Sequence, residues 1–461
     1  MSRAQSTCSH EALQLEPSAY AKEAGYNWPC PDRRLAATTK SGRNPLIVKG
    51  RKAEDVEKLS ESIANKLSGA FPGPLILPGD ELALDPKDPP QSFRSWLNEG
   101  LRKNRKLNRR RKTLYVAVAP EITSAVSFMK TGLQPVVSMG GKVVATKQVD
   151  PPLPEDVIRY TRVFYHGLPV EAFPGTCLQF VPWEESKKSR KPGSGTGYVG
   201  LIAGNGCTRI RYRPSPDGVY KYQLNLNDLI DAVIEMLPGD AYSILLLVNH
   251  DMYEDEEDVF CCGRAYGANR VAVVSTARYH PALDNHANID FAHMWPISHC
   301  KSYVDRFCAA EGLQQDEGMN IQTKSTPGPL SAAVEAVRGL ENSALEDLRG
   351  LWFSKIARTV VHELGHCLGF AHCVYYACVM QSSSCMAEDV RQPPYLCPVC
   401  LSKVSHAITC ELEGRDEAGK DKYVKERYKS IADFCDSWRQ VGLFAGYGAW
   451  LRARLEQLEA A

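Results

Sequence analysis

His362-Glu363-Leu364-Gly365-His366-Cys367-Leu368-Gly369-Phe370-Ala371-His372-Cys373 is the stretch that decides how the rest of the chain is read. Two histidines four apart on a helix share one face and can grip a single metal ion side by side. Glu363 follows the first of them and can point into the same cleft, where a water molecule would need a base. Gly369 lies three residues past His366, where a helix commonly ends in a left-handed turn that glycine enters at little cost. Such a turn brings His372 round as a third nitrogen donor. Three protein ligands with one open position is the pattern of a catalytic zinc rather than a closed structural one.

The competing reading is a core helix with incidental histidines. Leu351, Phe353, Ile356, Ala357, Val360 and Leu364 form a helical apolar stripe that would bury one side of the segment in either case. A bare HExxH arises by chance in roughly one or two per cent of chains this long, and the added Gly and His at fixed offsets reduce that to about one in tens of thousands. Zinc is the better explanation.

Immediately downstream, Cys373, Cys378, Cys397 and Cys400 are spaced C-x4-C…C-x2-C, which fits four thiolates around a closed, structural zinc. Met380 lies between them. The combined pattern HExxHxxGxxHC-x4-C-x-M…C-x-x-C resembles the archaemetzincins, a family of metzincin zinc metalloproteases. The likeness is most specific over 355–400, weaker over about 113–280, and absent from the N-terminal hundred residues and the tail. One departure is that the gap from Met380 to Cys397 is a residue shorter than the family spacing.

The resemblance implies a zinc-dependent metallopeptidase with two zinc ions per chain. The catalytic zinc would sit on His362, His366 and His372 with Glu363 as general base, the structural zinc on Cys373, Cys378, Cys397 and Cys400. Met380 would form the methionine turn beneath the metal. The fold expected is α/β of the metzincin kind: a mixed twisted sheet with an antiparallel edge strand, the motif helix at the cleft floor and a smaller, zinc-pinned lower subdomain. A second electrophile is expected among Tyr375, Tyr376 and Tyr395, with no ground for choosing one. The opposing reading is a catalytically silent, zinc-stabilised module that binds peptides or nucleic acid. Retention of Glu363 speaks against it, since a purely structural three-histidine site has no use for that carboxylate.

Composition is consistent with an intracellular protein. Fifty-five basic against 54 acidic residues give a net charge of +1, so no overall field dictates a nucleic-acid or membrane partner. Leu114–Ala119 and Ile244–Val248 are far too short to span a bilayer, and the N-terminus shows no apolar signal region. Sixteen cysteines without such a signal point to a reducing compartment, with thiols free or on metal. A cytoplasmic setting is therefore expected. Eight of the eleven residues Arg102–Lys112 are Arg or Lys, a run suited to a solvated boundary or to nuclear import. It lacks interleaved aromatics to stack bases, so nucleic-acid binding is the weaker use.

The chain is expected to divide into an N-terminal extension over 1–111, partly flexible, a catalytic domain over 112–405 and a helical extension over 406–461. Residues 1–45 show no sustained periodicity, and Cys8 and His10 are read as noise. Helical spacing begins at 53–67. Within the catalytic domain, Thr113–Ala119 and Tyr242–Val248 are short β-branched apolar runs suited to buried parallel strands, with a helix over Asn227–Leu237. Glu184–Gly195 is polar, glycine-rich and loop-like. Phe260–Tyr266 and Arg270–Thr276 flank a Gly267-Ala268-Asn269 turn and read as a hairpin. Gly263 and Ala265 leave one face of its first strand nearly bare. The resemblance puts the peptide substrate there, paired to the strand's open edge. Residues 281–348 read as an insertion whose scattered histidines (His280, His286, His293, His299) are expected at the surface and are assigned no metal.

Overall fold

The computed structural model describes residues 12–103, 106–139, 142–144, 149–173, 178–184, 195–204, 206–313, 328–338, 340, 345–415 and 419–460. Cys8, His10, most of the loop expected at 184–195 and the middle of the 281–348 insertion lie outside these residues. Contacts divide the chain into two units. One takes in Leu107–His286 and Ser343–Gly369, the other Met1–Lys106, Ala287–Asn342 and Phe370–Ala461.

The first of these is a mixed α/β unit. Its principal sheet has five strands in the order Gly263–Tyr266, Val271–Ser275, Ala241–Val248, Thr113–Ala117, Val170–Ala172. All neighbours are parallel except the hairpin strand Gly263–Tyr266, which runs antiparallel at the edge. The two apolar runs read as parallel strands are indeed direct partners, Leu114 opposite Ser243 and Ala117 opposite Leu246. Ala241–Val248 is buried at every position, as a strand covered on both faces must be. The helix Leu226–Met236 packs its Leu229, Ile230 and Val233 inward, and its first turn is capped by the Asn225 side chain, which accepts from the Asp228 N–H.

A second, six-stranded sheet (order Asp251–Tyr253, Gln223–Asn225, Gly206–Arg213, Gly197–Ala203, Gln179–Pro182, Glu121–Ile122) was not anticipated. Its long strands mix Gly, Thr, Arg and Tyr with few aliphatics, a pattern weaker than the continuous apolar runs of the principal sheet. Val199, Leu201 and Ile210 point into the same core as Ile244, Leu246, Val271 and Val273.

The motif lies on a 23-residue helix, Leu345–Cys367. Residues 350–361 are buried without interruption, so the expected one-sided stripe is in fact a helix enclosed nearly all round. It packs against the strand Val271–Ser275, the edge strand and the helix Pro154–Phe164. Polar groups are matched on the way: the Trp352 indole N–H donates to the Thr276 carbonyl at 2.8 Å, the Tyr165 hydroxyl to that of Val361 at 2.6 Å, and Lys355 pairs with Asp284. The helix stops as read from sequence, with Gly369 at φ +82° and its N–H donating to the His366 carbonyl at 2.9 Å.

The other unit is assembled from three separated stretches. Residues 12–45, read as lacking regular structure, carry the short helices Ala19–Glu23 and Pro31–Ala37. The helix expected from the spacing at 53–67 runs over Ala53–Ser68, but only Val56 and Ser60 in it are buried; Leu59 is 41% exposed. The C-terminal helices Gly419–Asp436 and Gly442–Glu459 pack together and against Pro329–Val337. Of the four histidines in or beside the expected insertion, three are buried rather than at the surface: His293 and His299 in this unit and His280 in the first are each about 1% exposed. Short 3-10 turns fold them against neighbouring aromatic rings, His280 on Trp352 and His293 stacked on Tyr303.

Candidate active site

His362 and His366, one helical turn apart, bring their Nε2 atoms to 3.0 Å of each other, both half-buried. The helix continues into the Gly369 turn, and the contiguous segment 362–372 folds back so that His362, His366 and His372 each offer a nitrogen within 4.8 Å of the others. Tetrahedral zinc with bonds of about 2.0 Å separates its nitrogen donors by roughly 3.3 Å, so the donor set fits that ion in kind and in spacing. Burial holds the His372 imidazole below its ordinary pKa, while the nearby Asp88 and Cys373 act in the opposite sense. Neutral imidazole is the form a metal needs.

Glu363 lies between the two helix histidines in sequence and is 7% exposed. Burial pushes its carboxyl up to about 8, against which act the charge of Arg264 and a hydrogen bond from the Ala265 backbone N–H. The carboxylate therefore touches the edge strand. A β-carbon built on Gly263 would lie 3.3 Å from Glu363 Oε1, 3.3 Å from Thr359 Cγ2 and 3.2 Å from Val274 Cγ2. The bare face of the strand at Gly263 is thus filled by side chains, Glu363 and Thr359 from the motif helix and Val274 from the partner strand. Arg264 and Tyr266 occupy the exposed face, with Arg264 paired to Glu254.

The strand's open edge has its own partners. The Ser275 N–H donates to the Cys262 carbonyl and that of Arg270 to the Tyr266 carbonyl, so alternation turns the main-chain groups of Gly263 and Ala265 away from the partner strand. Of these, the Ala265 N–H goes to Glu363 and the Gly263 carbonyl accepts from the Cys261 thiol at 3.4 Å. A peptide added at this edge would compete with Glu363 and Cys261 for those groups. In the hairpin turn Arg270 adopts φ +62°, and its guanidinium donates to the Ala241 and Tyr242 carbonyls.

Cys373, Cys378, Cys397 and Cys400 form the second donor group, all buried, their sulfurs within 4.8 Å of one another and none in a disulfide. Four convergent thiols in a closed pocket suit tetrahedral zinc, whose sulfurs at about 2.3 Å from the metal lie roughly 3.8 Å apart. Cys373 and Cys397 are 3.5 Å apart. Met380 is fully buried, and its carbonyl accepts from the Cys373 N–H at 2.7 Å, tying the methionine to the residue after His372.

The three tyrosines are all buried. Tyr395 stacks on Trp450 at 4.4 Å, Tyr376 faces the Arg34 guanidinium at 5.5 Å, and burial pushes Tyr375 up to about 12. Residues absent from the sequence reading also reach the segment after Gly369: Tyr26, Trp28 and Gln91 hydrogen-bond to Val374, Tyr375 and Ala371. Their partners lie about three hundred residues away along the chain, and nothing local marks them.

Comparison with known proteins agrees with this chemistry. The model of peptidase family M54 matches residues 331–406, which contain both donor groups. Archaemetzincin-2 of Homo sapiens is 22% identical over 402 residues, 86% of this chain and 83% of that protein. Archaemetzincin-1 of Homo sapiens is 28% identical over 208 residues, 43% of this chain and 34% of that protein. The likeness to archaemetzincin-2 is longer than the stretches expected, about 113–280 and 355–400, and at 86% of the chain it reaches into the N-terminal hundred residues, where no likeness was expected. Among solved structures, the archaemetzincin of Methanopyrus kandleri matches with TM-score 0.30 and 15% identity, covering 66% of this chain and 98% of that one. The stretch matched by the family model contains both donor groups and archaemetzincin-2 aligns along most of its own length, so the chain is similar to the archaemetzincins and to peptidase family M54.

Proposed function

We propose that the protein hydrolyses peptide bonds at the site formed by His362, His366, His372 and Glu363, and carries a second, structural zinc on Cys373, Cys378, Cys397 and Cys400. The observation that carries this reading is the placement of the Glu363 carboxylate, against the edge strand and adjacent in sequence to the first histidine. When bound, zinc supplies a Lewis acid for the peptide carbonyl, eases deprotonation of water and favours the ionised form of Glu363.

The chain's own residues do the rest. His362 and His366 are fixed on one helix face, so two of the donors are pre-organised before any ligand arrives. Glu363 takes a proton from the attacking water and delivers it to the leaving nitrogen, the two roles of one general acid–base. The edge strand Gly263–Tyr266 pairs an extended peptide through its outward main-chain groups; Glu363 and Cys261 give up their contacts to Ala265 and Gly263 as it docks. Releasing the Ala265 N–H frees Glu363 to face the water, so substrate entry and readiness of the base are linked. Main-chain pairing gives affinity without demanding particular side chains, which suits peptide or protein substrates of varied sequence. The cysteine-rich composition and the basic run 102–112 support an intracellular setting.

The test is cleavage of a peptide library by zinc-loaded protein and by Glu363→Ala. The substitution should lower kcat by about a hundredfold or more at unchanged zinc content. Turnover by the variant at the wild-type rate would move the base elsewhere; no turnover by the wild type on any peptide would favour the silent zinc-stabilised module.

A further inference from the structure

His372 lies in a stretch with no regular structure: residues 370–374 belong to neither helix nor strand. Its backbone groups have no ladder to satisfy them, and buried polar groups must find partners elsewhere. The amides on the two sides of His372 are both pinned. On one side the Cys373 N–H donates to the Met380 carbonyl at 2.7 Å, within the cysteine group's own loop. On the other the Ala371 N–H donates to Gln91 Oε1 at 3.0 Å.

Gln91 joins three parts of its unit. Its Oε1 also accepts from Lys403 Nζ at 2.7 Å, just beyond Cys400, while its Nε2 donates to Glu99 at 3.0 Å. Two donors face the oxygen and a carboxylate faces the nitrogen, so only one orientation of the amide satisfies all three partners. The following carbonyls are held from the same direction: the Tyr26 hydroxyl donates to Val374 at 2.6 Å and the Trp28 indole N–H to Tyr375 at 2.7 Å. Ala377 donates to the Pro72 carbonyl at 3.0 Å. Every one of these partners comes from the first hundred residues.

We infer that this N-terminal stretch is a positioning element for the third histidine, with Gln91 as the residue that fixes His372 from the side the cysteine group does not reach. The inference rests on the three-histidine zinc reading above. It turns a segment read as an extension into part of the site: the two helix histidines are held by the helix, and the third by residues 26–91. Partners in the shell behind a metal ligand commonly set affinity by about ten- to a hundredfold.

The experiment uses the full chain and reads zinc affinity at the open site by competition with a chromophoric chelator, beside kcat and KM. Gln91→Leu should weaken that zinc by about tenfold or more and lower kcat with KM little changed, while the four-cysteine zinc is retained. Gln91→Glu combined with Glu99→Gln, which keeps acceptor oxygens for Ala371 and Lys403 and puts a donor opposite the new carboxylate, should recover most of the affinity. A merely structural role would lower the unfolding midpoint without this recovery. Should Gln91→Leu fail to fold, Gln91→Asn, which withdraws the same acceptor by one methylene and stays polar, takes its place with the same expectation. If the wild type holds a chelator-accessible zinc and the variant holds it equally well, or if Gln91→Glu with Glu99→Gln recovers nothing, the positioning role is overturned. If the wild type holds no such zinc, the three-histidine reading itself falls and this inference with it.

Discussion

The missing side chain of Gly263 is what lets Glu363 reach the edge strand: a β-carbon there would stand 3.3 Å from the Glu363 carboxylate. Strand and carboxylate share one small space, so a change on either is felt by the other. Gly263→Ala asks Glu363, Thr359 and Val274 each to yield by a few tenths of an ångström. The expected result is a loss of about tenfold in kcat/KM, with zinc content unchanged and stability lowered by about 1 kcal/mol. Steady-state kinetics beside a urea titration checks it. An alanine variant with wild-type kinetics would mean that Glu363 works from another position.

Gly267, in the hairpin turn, is tighter still. A β-carbon there would fall 2.5 Å from the His366 carbonyl oxygen, which is backbone and cannot swing away. Gly267→Ala must push the turn and the end of the motif helix apart, at a cost of about 1–3 kcal/mol. Because the displaced atom belongs to His366, proposed above as a ligand, zinc should be lost from the three-histidine group before the unit unfolds. Urea midpoint and zinc content, measured together, test this; a variant with normal stability and zinc would show that the turn simply moves.

These two glycines mark how much the sequence can tell. The motif residues, the Gly369 stop, the parallel central strands and the hairpin were legible because each depends on local spacing or on a continuous apolar run. Gly263 was legible as a small residue on an edge strand, but not as a gap filled by the motif helix, since that needs the packing of a helix a hundred residues away. The six-stranded sheet was missed because strands such as Gly206–Arg213 set Gly, Thr, Ile and Tyr on one side against Cys and three Arg on the other, and so lack an apolar run. The role of Gln91, Tyr26 and Trp28 was invisible for a simpler reason: each is an ordinary polar or aromatic residue whose partner is set only by the tertiary fold.

Buried histidine gives a pH prediction away from the metal ligands. His250 is 2% exposed, its Nε2–H donates to the Met129 carbonyl at 3.2 Å, and burial lowers its pKa from 6.5 to about 4. Below pH 6.5 the unfolded chain binds a proton that the native state refuses. Stability from this group is therefore complete above 6.5 and lost as pH falls towards 4, by on the order of 3 kcal/mol. Glu388, which burial pushes up to about 7, acts oppositely: ionising it costs the native state, so its contribution grows as pH falls from 7 to 4.5. The raw acid profile mixes such terms, and a variant separates them. His250→Gln keeps a donor for Met129 and cannot titrate, so its stability should fall less steeply than the wild type's between pH 6.5 and 4. Parallel profiles would show that His250 is protonated in the native state.

Chelation should separate the two zinc sites. The three histidines are half-buried and, as proposed, would leave a coordination position open, whereas the four cysteines are buried and would close theirs. A mild chelator can reach a metal that keeps an open coordination position, but must wait for local unfolding to strip a closed four-thiolate site. Elemental analysis of the intact, reduced protein should give two zinc ions per chain, falling to one under mild chelation with activity lost and the unfolding midpoint little changed. The second ion should leave only with denaturant or strong chelation, and its loss should destabilise residues 370–400, where Cys373 and Met380 tie down the segment bearing His372. Cys397→Ser should accordingly reduce soluble yield more than His372→Ala, since it removes a ligand from the site that holds the loop rather than from the site the loop serves. One zinc per intact chain would eliminate the second site, and simultaneous release of both ions would contradict the difference in access.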